Sequence, residues 1–262
     1  QKLSDQDNLT GGLKALLAST LIATGPWMIA VITIGVTFLL ARGDSYIASS
    51  DYTMFTQVII YNFSFSMVFL GPLSLICTRF LSDQIYLNND QKVISMVVGA
   101  LLLLSIIQFG LGYLLYFVIT AMSTKIALIA IINFMLISLM WFVTPFISAL
   151  KYVWGIVLTI LVGTAMTICL TWYASLHYGL EGMLIAFNIG ISVIVTTILG
   201  QVFISFPIKI KNFFEIFTYL IKYRSLFIFG LISSLAIWAD KWMMWFSPEA
   251  LKLVHKDNFW FY

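Results

Sequence analysis

Charge is what this sequence has least of. Only 10% of its 262 residues are Asp, Glu, Lys or Arg, against about 25% in a soluble domain. A water-soluble fold cannot cover its surface with so few charges. That excludes a soluble enzyme, a nucleic-acid binder and a disordered chain. Histidine and cysteine are scarce too, with two residues each. Cys77 and Cys169 lie inside apolar runs, have no metal-ligand spacing and read as small hydrophobes. No metal or cofactor is expected. The net charge of +3 is too small to call for an acidic macromolecular partner, so no nucleic acid is expected either. What is abundant is apolar surface: 61% of residues are hydrophobic and 16% are Phe, Trp or Tyr. The mean hydropathy is +1.00. These values predict an all-α, polytopic helical membrane protein with aromatic residues at two lipid interfaces.

The uncharged stretches give the architecture. Residues 15–41, 52–78, 93–124, 126–150, 152–180 and 182–208 contain no Asp, Glu, Lys or Arg. Each exceeds the ~20 residues needed to cross a hydrocarbon core about 30 Å thick. A seventh stretch, 225–246, is interrupted by Asp240 and Lys241. Seven transmembrane helices are therefore expected. β-Barrel strands are excluded, because the runs are continuous and not alternating. The predicted organisation is an N-terminal segment 1–14, six helices over 15–207, a linker 208–224, a seventh helix 225–246 and an outer loop 247–262. The chain begins with Gln1 and stops within the apolar run ending at Tyr262, and it reads as a fragment of a longer protein. With the N-terminus inside, nine Lys/Arg fall in inner segments and five in outer ones, which favours a cytoplasmic N-terminus. The linker alternates Lys and aromatic residues with apolar ones. It is expected to lie along the inner interface as a short amphipathic helix, or to dock a cytoplasmic partner.

Prolines and polar residues supply the candidate site. Pro26 stands 12 residues after Lys14, near mid-membrane, in the context Thr24-Gly25-Pro26-Trp27. Pro72 follows Gly71 in the second span, and Pro145 follows Thr144 in the fourth. Proline removes an amide donor and crowds the preceding turn, so kinks are expected. Gly25-Pro26 and Gly71-Pro72 are the candidate hinges. Three polar stripes at helical spacing suggest walls of a hydrated cavity: Thr53, Gln57, Tyr61 and Ser64; Thr164, Thr167, Thr171 and Ser175; Glu181, Asn188, Ser192 and Thr196. The bland alternative is interhelical bonding, worth ~0.6 kcal/mol on average per contact. Gln57, Asn62, Asn133 and Asn188 are costlier to bury than any Ser or Thr, and a shared cavity is expected for them.

Intramembrane charge is nearly absent before the seventh span. Asp240 lies 16 residues beyond Arg224, about 24 Å along a helix. Neighbouring positions diverge by ~100°, so Asp240 and Lys241 are not expected to pair with each other. They read equally as a snorkelling interfacial pair or as charge facing a cavity. Arg79 and Asp83, at spacing i,i+4 on the inner side, are expected to pair as an anchor or as an inner gate.

At these residues the chain resembles a known family. Lys2-Leu3, the run Asp7-Asn8-Leu9-Thr10-Gly11-Gly12-Leu13-Lys14-Ala15 and Gly25-Pro26-Trp27 are similar to the N-terminal part of the PelG family of inner-membrane Pel exopolysaccharide exporters. So are Gly71-Pro72-Leu73, Thr78-Arg79-Phe80 with Asp83, and Ile237-Trp238-Ala239-Asp240-Lys241 with Trp245-Phe246. Ala149-Leu150-Lys151-Tyr152 is a weaker match. The resemblance implies the multidrug/oligosaccharidyl-lipid/polysaccharide flippase superfamily, with two lobes and alternating access. This chain would be the first lobe plus one helix of the second. It also implies export of an amino-sugar polymer, with a cytoplasmic glycosyltransferase and membrane subunits of a polysaccharide synthase complex as partners beside lipid.

On that reading the substrate-pathway candidates are Thr24, Gln57, Tyr61, Asn62, Asn188 and Asp240. An exporter of lipid-linked oligosaccharides or drugs is the alternative within the superfamily. A retinal photoreceptor would need a mid-membrane Lys in its last helix and a carboxylate within 93–124, and the latter is missing. A membrane enzyme is disfavoured because His177 and His255 both fall in outer segments, away from any nucleophile. No catalytic residue is expected.

Overall fold

A computed structural model of the chain describes residues 9–41, 49–87, 89–120, 122–147, 153–207 and 215–245. The segment before Leu9, the weak match at 149–152, the first half of the linker and the outer loop 247–262 lie outside the described residues. Among the described residues eight α-helices follow in order: α1 (Leu9–Ala41), α2 (Ser49–Tyr86), α3 (Val93–Tyr113), α4 (Thr124–Ile147), α5 (Val153–His177), α6 (Gly179–Ser205), α7 (Glu215–Lys222) and α8 (Arg224–Trp245). A 3-10 turn (Asp90–Lys92) leads into α3, and a π-helical stretch (Leu114–Ile119) ends it. Helices are the outcome that a lipid solvent imposes on such runs, since each backbone N–H and C=O must be satisfied within its own segment.

Six of these helices are long and apolar enough to cross a membrane, and α1 adds a shorter apolar stretch, Trp27–Leu39. The helices thus occupy the seven stretches read as spans, and the protein is a multi-pass membrane protein. α1, α2 and α4 run unbroken through Pro26, Pro72 and Pro145. The short helix α7 falls inside the linker.

α2 sits at the centre, against α3, α4, α6 and α8, while α1 leans on α5 and α4. Phe55, Phe63, Phe80, Phe134, Phe142, Phe146 and Phe187 fill the interior. The outward faces are equally apolar, with Leu102, Ile106, Phe109, Leu158 and Ile204 exposed, as lipid contact requires. Lipid tails are as apolar as Leu, so packing and small residues hold the helices together. α5 and α6 form a tight hairpin whose turn is Gly179 at φ 57°, a left-handed conformation that a Cβ would strain. Along that pair, Gly190 of α6 lies so close to Thr167 of α5 that a methyl group would overlap its Cα.

The polar stripe of α5 packs largely inside the bundle. Thr167, Thr171 and Ser175 are buried between helices. Thr164, Thr167 and Ser175 donate back to carbonyls of their own helix, at Ile160, Gly163 and Trp172.

Candidate functional site: an aromatic cleft beside alpha 8

α8 runs antiparallel to α2, and their register is fixed at three levels. At one end Tyr61 meets Trp245 edge-on at 4.6 Å and Phe65 stacks on Trp242 at 5.2 Å. The Trp242 indole N–H donates to Ser64 Oγ at 2.6 Å. In the middle, Gly71 and Pro72 of α2 lie directly on Gly230 and Ser234 of α8, a small-xxx-small contact that lets the backbones touch. At the far end Tyr223, just before α8, donates its hydroxyl to Asp83 Oδ2 at 3.1 Å.

A cleft of about 500 Å³ lies between α1, α2 and α8. Trp27 of α1 lies at its centre, stacked on Phe63 at 5.5 Å and on Trp238 at 5.4 Å, with Trp141 of α4 edge-on at 6.2 Å. Trp245, Lys241 and the aliphatic Val31, Ile34, Ile59 and Ile60 are also in the wall. The Lys241 ammonium stands 5.5 Å over the Trp238 ring, where the negative face of the indole attracts it. It also pairs with Asp240 at 3.0 Å. This corrects the expectation that the two residues stay apart: their Cα directions diverge, but the four-carbon Lys stem is long enough to curl back. Both side chains are exposed. Phe63 and Trp238 are almost fully buried under Trp27, so the open wall is the partly exposed Trp27 and Trp245 with aliphatic side chains, beside an exposed charged pair, which suits a ligand with an apolar face and polar edges.

Asn62 and Asn188 lie elsewhere, in a buried ladder joining four helical segments. Asn62 Nδ2 donates to Asn133 Oδ1 at 2.7 Å and to the Ala130 carbonyl at 3.1 Å. Asn133 Nδ2 donates to Asn188 Oδ1 at 2.6 Å, and Asn188 Nδ2 to the Ile129 carbonyl at 3.1 Å. The Tyr116 hydroxyl, in the π-helical stretch, donates to Asn62 Oδ1. All four side chains are at most 7% exposed.

The family model of PelG, whose description reads "Putative exopolysaccharide Exporter (EPS-E)", matches residues 1–258. The chain belongs to the PelG family. No curated protein matches it, and neither does any solved structure.

The other site residues read from the sequence do not gather at the cleft of this PelG-family protein: Thr24, Gly25, Gln57, Tyr61, Gly71 and Pro72 are not among the residues that line it. Thr24 is exposed on α1, one turn before Trp27, and donates to the Thr20 carbonyl at 2.8 Å. Gln57 is half-buried on α2. Tyr61 is buried against Trp245, a wall residue. Gly25 packs on Ile160 of α5. The side chain of Pro26 lies outside what the structure describes. Gly71 and Pro72, read as a hinge, form the α2–α8 crossing. Among the described residues no group of three His, Cys, Asp or Glu could hold a metal ion.

Arg79 and Asp83 do pair, Nε to Oδ1 at 3.2 Å, with side-chain exposures of 56% and 25%. The Tyr223 bond makes Asp83 a clasp between α2 and the start of α8. An ion pair this open to solvent contributes little. Asp83→Asn is expected to cost no more than about 1 kcal/mol, measured as thermal unfolding in detergent. A gating role would appear instead as altered export at unchanged stability.

Sequence reasoning passed over Trp238, Trp242 and Trp245 as site residues, although a signal was there. Spacings of four and three put all three indoles on one face of α8.

Proposed function

We propose that this PelG-family chain carries an exopolysaccharide across the cytoplasmic membrane, as the first part of a two-lobe, alternating-access flippase with a cytoplasmic N-terminus and no chemistry on the polymer. The observation that carries the reading is the match of residues 1–258 to an exopolysaccharide-exporter family. The cleft supports it with a surface suited to sugar rings. The partly exposed indoles of Trp27 and Trp245 offer apolar contact to the C–H side of a pyranose, while Asp240 and Lys241 offer partners to its hydroxyls. The pathway runs past Thr24, Gln57, Tyr61 and Asp240, and the Asn62–Asn133–Asn188 ladder holds its back wall. Gly25-Pro26 and Gly71-Pro72 act as the flexing points. A cytoplasmic glycosyltransferase and membrane subunits of a synthase complex supply the polymer.

Disrupting the full-length gene in its own host is expected to remove surface amino-sugar polymer and leave drug tolerance unchanged. Normal polymer with new drug sensitivity would overturn the reading in favour of a drug exporter. In a complemented strain, Trp27→Ala is expected to lower surface polymer about tenfold at equal protein level. Loss of one aromatic stacking partner costs ~1–3 kcal/mol for comparable flat ligands, and polymer is quantified by lectin binding.

A further inference from the structure

We propose that α7 and the first turn of α8 form a binding surface for anionic phospholipid headgroups. The two faces of α7 differ. Ile216 is fully buried, and Tyr219 meets Phe80 of α2 edge-on at 4.8 Å. Phe217 and Ile221, four residues apart, point outward at 46% and 76% exposure. Cations gather at the same place. The Lys222 ammonium rests 5.6 Å from the Tyr219 ring and 5.1 Å from the Tyr223 ring. The Tyr223 hydroxyl is bound to Asp83, whose other oxygen takes Arg79. Arg224 follows at once and is exposed.

Depth decides what covers this patch. Arg224 is the first residue of a membrane-spanning helix, so the patch stands where hydrocarbon gives way to headgroups. A protein partner in water would gain nothing from Phe217 and Ile221 at that level. A lipid surface accommodates both features, because the apolar side chains enter the acyl boundary and the cations meet phosphates. The aromatic rings that hold Lys222 also keep its stem along the interface. This surface is independent of what the protein exports.

The test is thermal unfolding of the full-length protein in vesicles of phosphatidylcholine, with and without phosphatidylglycerol, beside counting of bound phosphatidylglycerol by native mass spectrometry. Added phosphatidylglycerol is expected to raise the melting temperature of the native protein. Lys222→Gln and Arg224→Gln are each expected to weaken phosphatidylglycerol binding about fivefold. Lys125→Gln, at the other end of the bundle, is expected to change nothing. If the variants fold poorly, added salt should erase the phosphatidylglycerol preference of the native protein, because screening shortens the reach of surface charge. Indifference to lipid charge, or a preference unmoved by salt and by both substitutions, would overturn the proposal and leave the face to a protein partner.

Discussion

Replacing Gly230 with alanine is expected to lower the stability of the detergent-solubilised protein by about 1–3 kcal/mol, the usual cost of overpacking. A Cβ at this position would stand 2.8 Å from the Cα of Pro72 and 3.0 Å from its nitrogen. Those are backbone atoms, which no rotamer change can move. α8 leans mainly on α2, so the added methyl group must lever α8 away at the middle of its contact. That strains the Trp242–Ser64 bond at one end and the Tyr223–Asp83 bond at the other. Gly200→Ala is the matching control: nothing lies within 4 Å of its Cβ position in α6. There alanine removes a helix-interior glycine and is expected to stabilise by up to about 1 kcal/mol. Thermal melts of the two variants should move in opposite directions. Equal shifts would refute the close α2–α8 crossing.

The second large effect is expected at Asn133, the middle rung of the buried ladder. Asn133→Leu keeps the volume roughly constant but removes two partners at once. Asn62 Nδ2 loses an acceptor and Asn188 Oδ1 loses a donor, both in a dry interior. Buried polar groups left unpaired cost about 1–3 kcal/mol each, while single interhelical bonds in membranes reach at most ~1.7 kcal/mol. A loss of about 2 kcal/mol is therefore expected on thermal unfolding. Ser138→Ala is the contrast. Ser138 is equally buried, but its hydroxyl bonds only to the Phe134 carbonyl of its own helix, which remains in the helical ladder without it. That variant is expected to change stability by less than about 0.5 kcal/mol. Equal effects at the two positions would mean that the ladder does not join α2, α4 and α6.

The two experiments bear on function through the same geometry. Gly230 and Asn133 lie on either side of α2, the helix that supplies Phe63 to the cleft. Movement of α8 would open or shut the wall carrying Trp238 and Trp245, while the ladder keeps α2 fixed against α4 and α6. The clasp at Asp83 ties α2 to the start of the same α8, so the cleft and the patch around Tyr223 share one helix.

The sequence by itself determined the spans, because hydrocarbon thickness and the cost of charge act on each segment separately. Residues 93–119 become a span whatever packs beside them. The Arg79–Asp83 pair was legible for the same reason, since i,i+4 neighbours meet on any helix. The PelG resemblance was legible too, in the ordered motifs from Gly25-Pro26-Trp27 to Asp240-Lys241. Only the tertiary structure decided which polar residues face one another. Asn62, Asn133 and Asn188 are separated by more than fifty residues each, and their pairing depends on how α2, α4 and α6 rotate. That Gly71-Pro72 lies directly against Gly230 is equally invisible in the sequence. The cleft likewise needs Trp27 and Trp238 brought together from opposite ends of the chain. Inside a membrane no apolar stripe announces the buried face, because lipid and protein interior are equally apolar, so helix rotation is set by close packing and buried hydrogen bonds that no single segment contains.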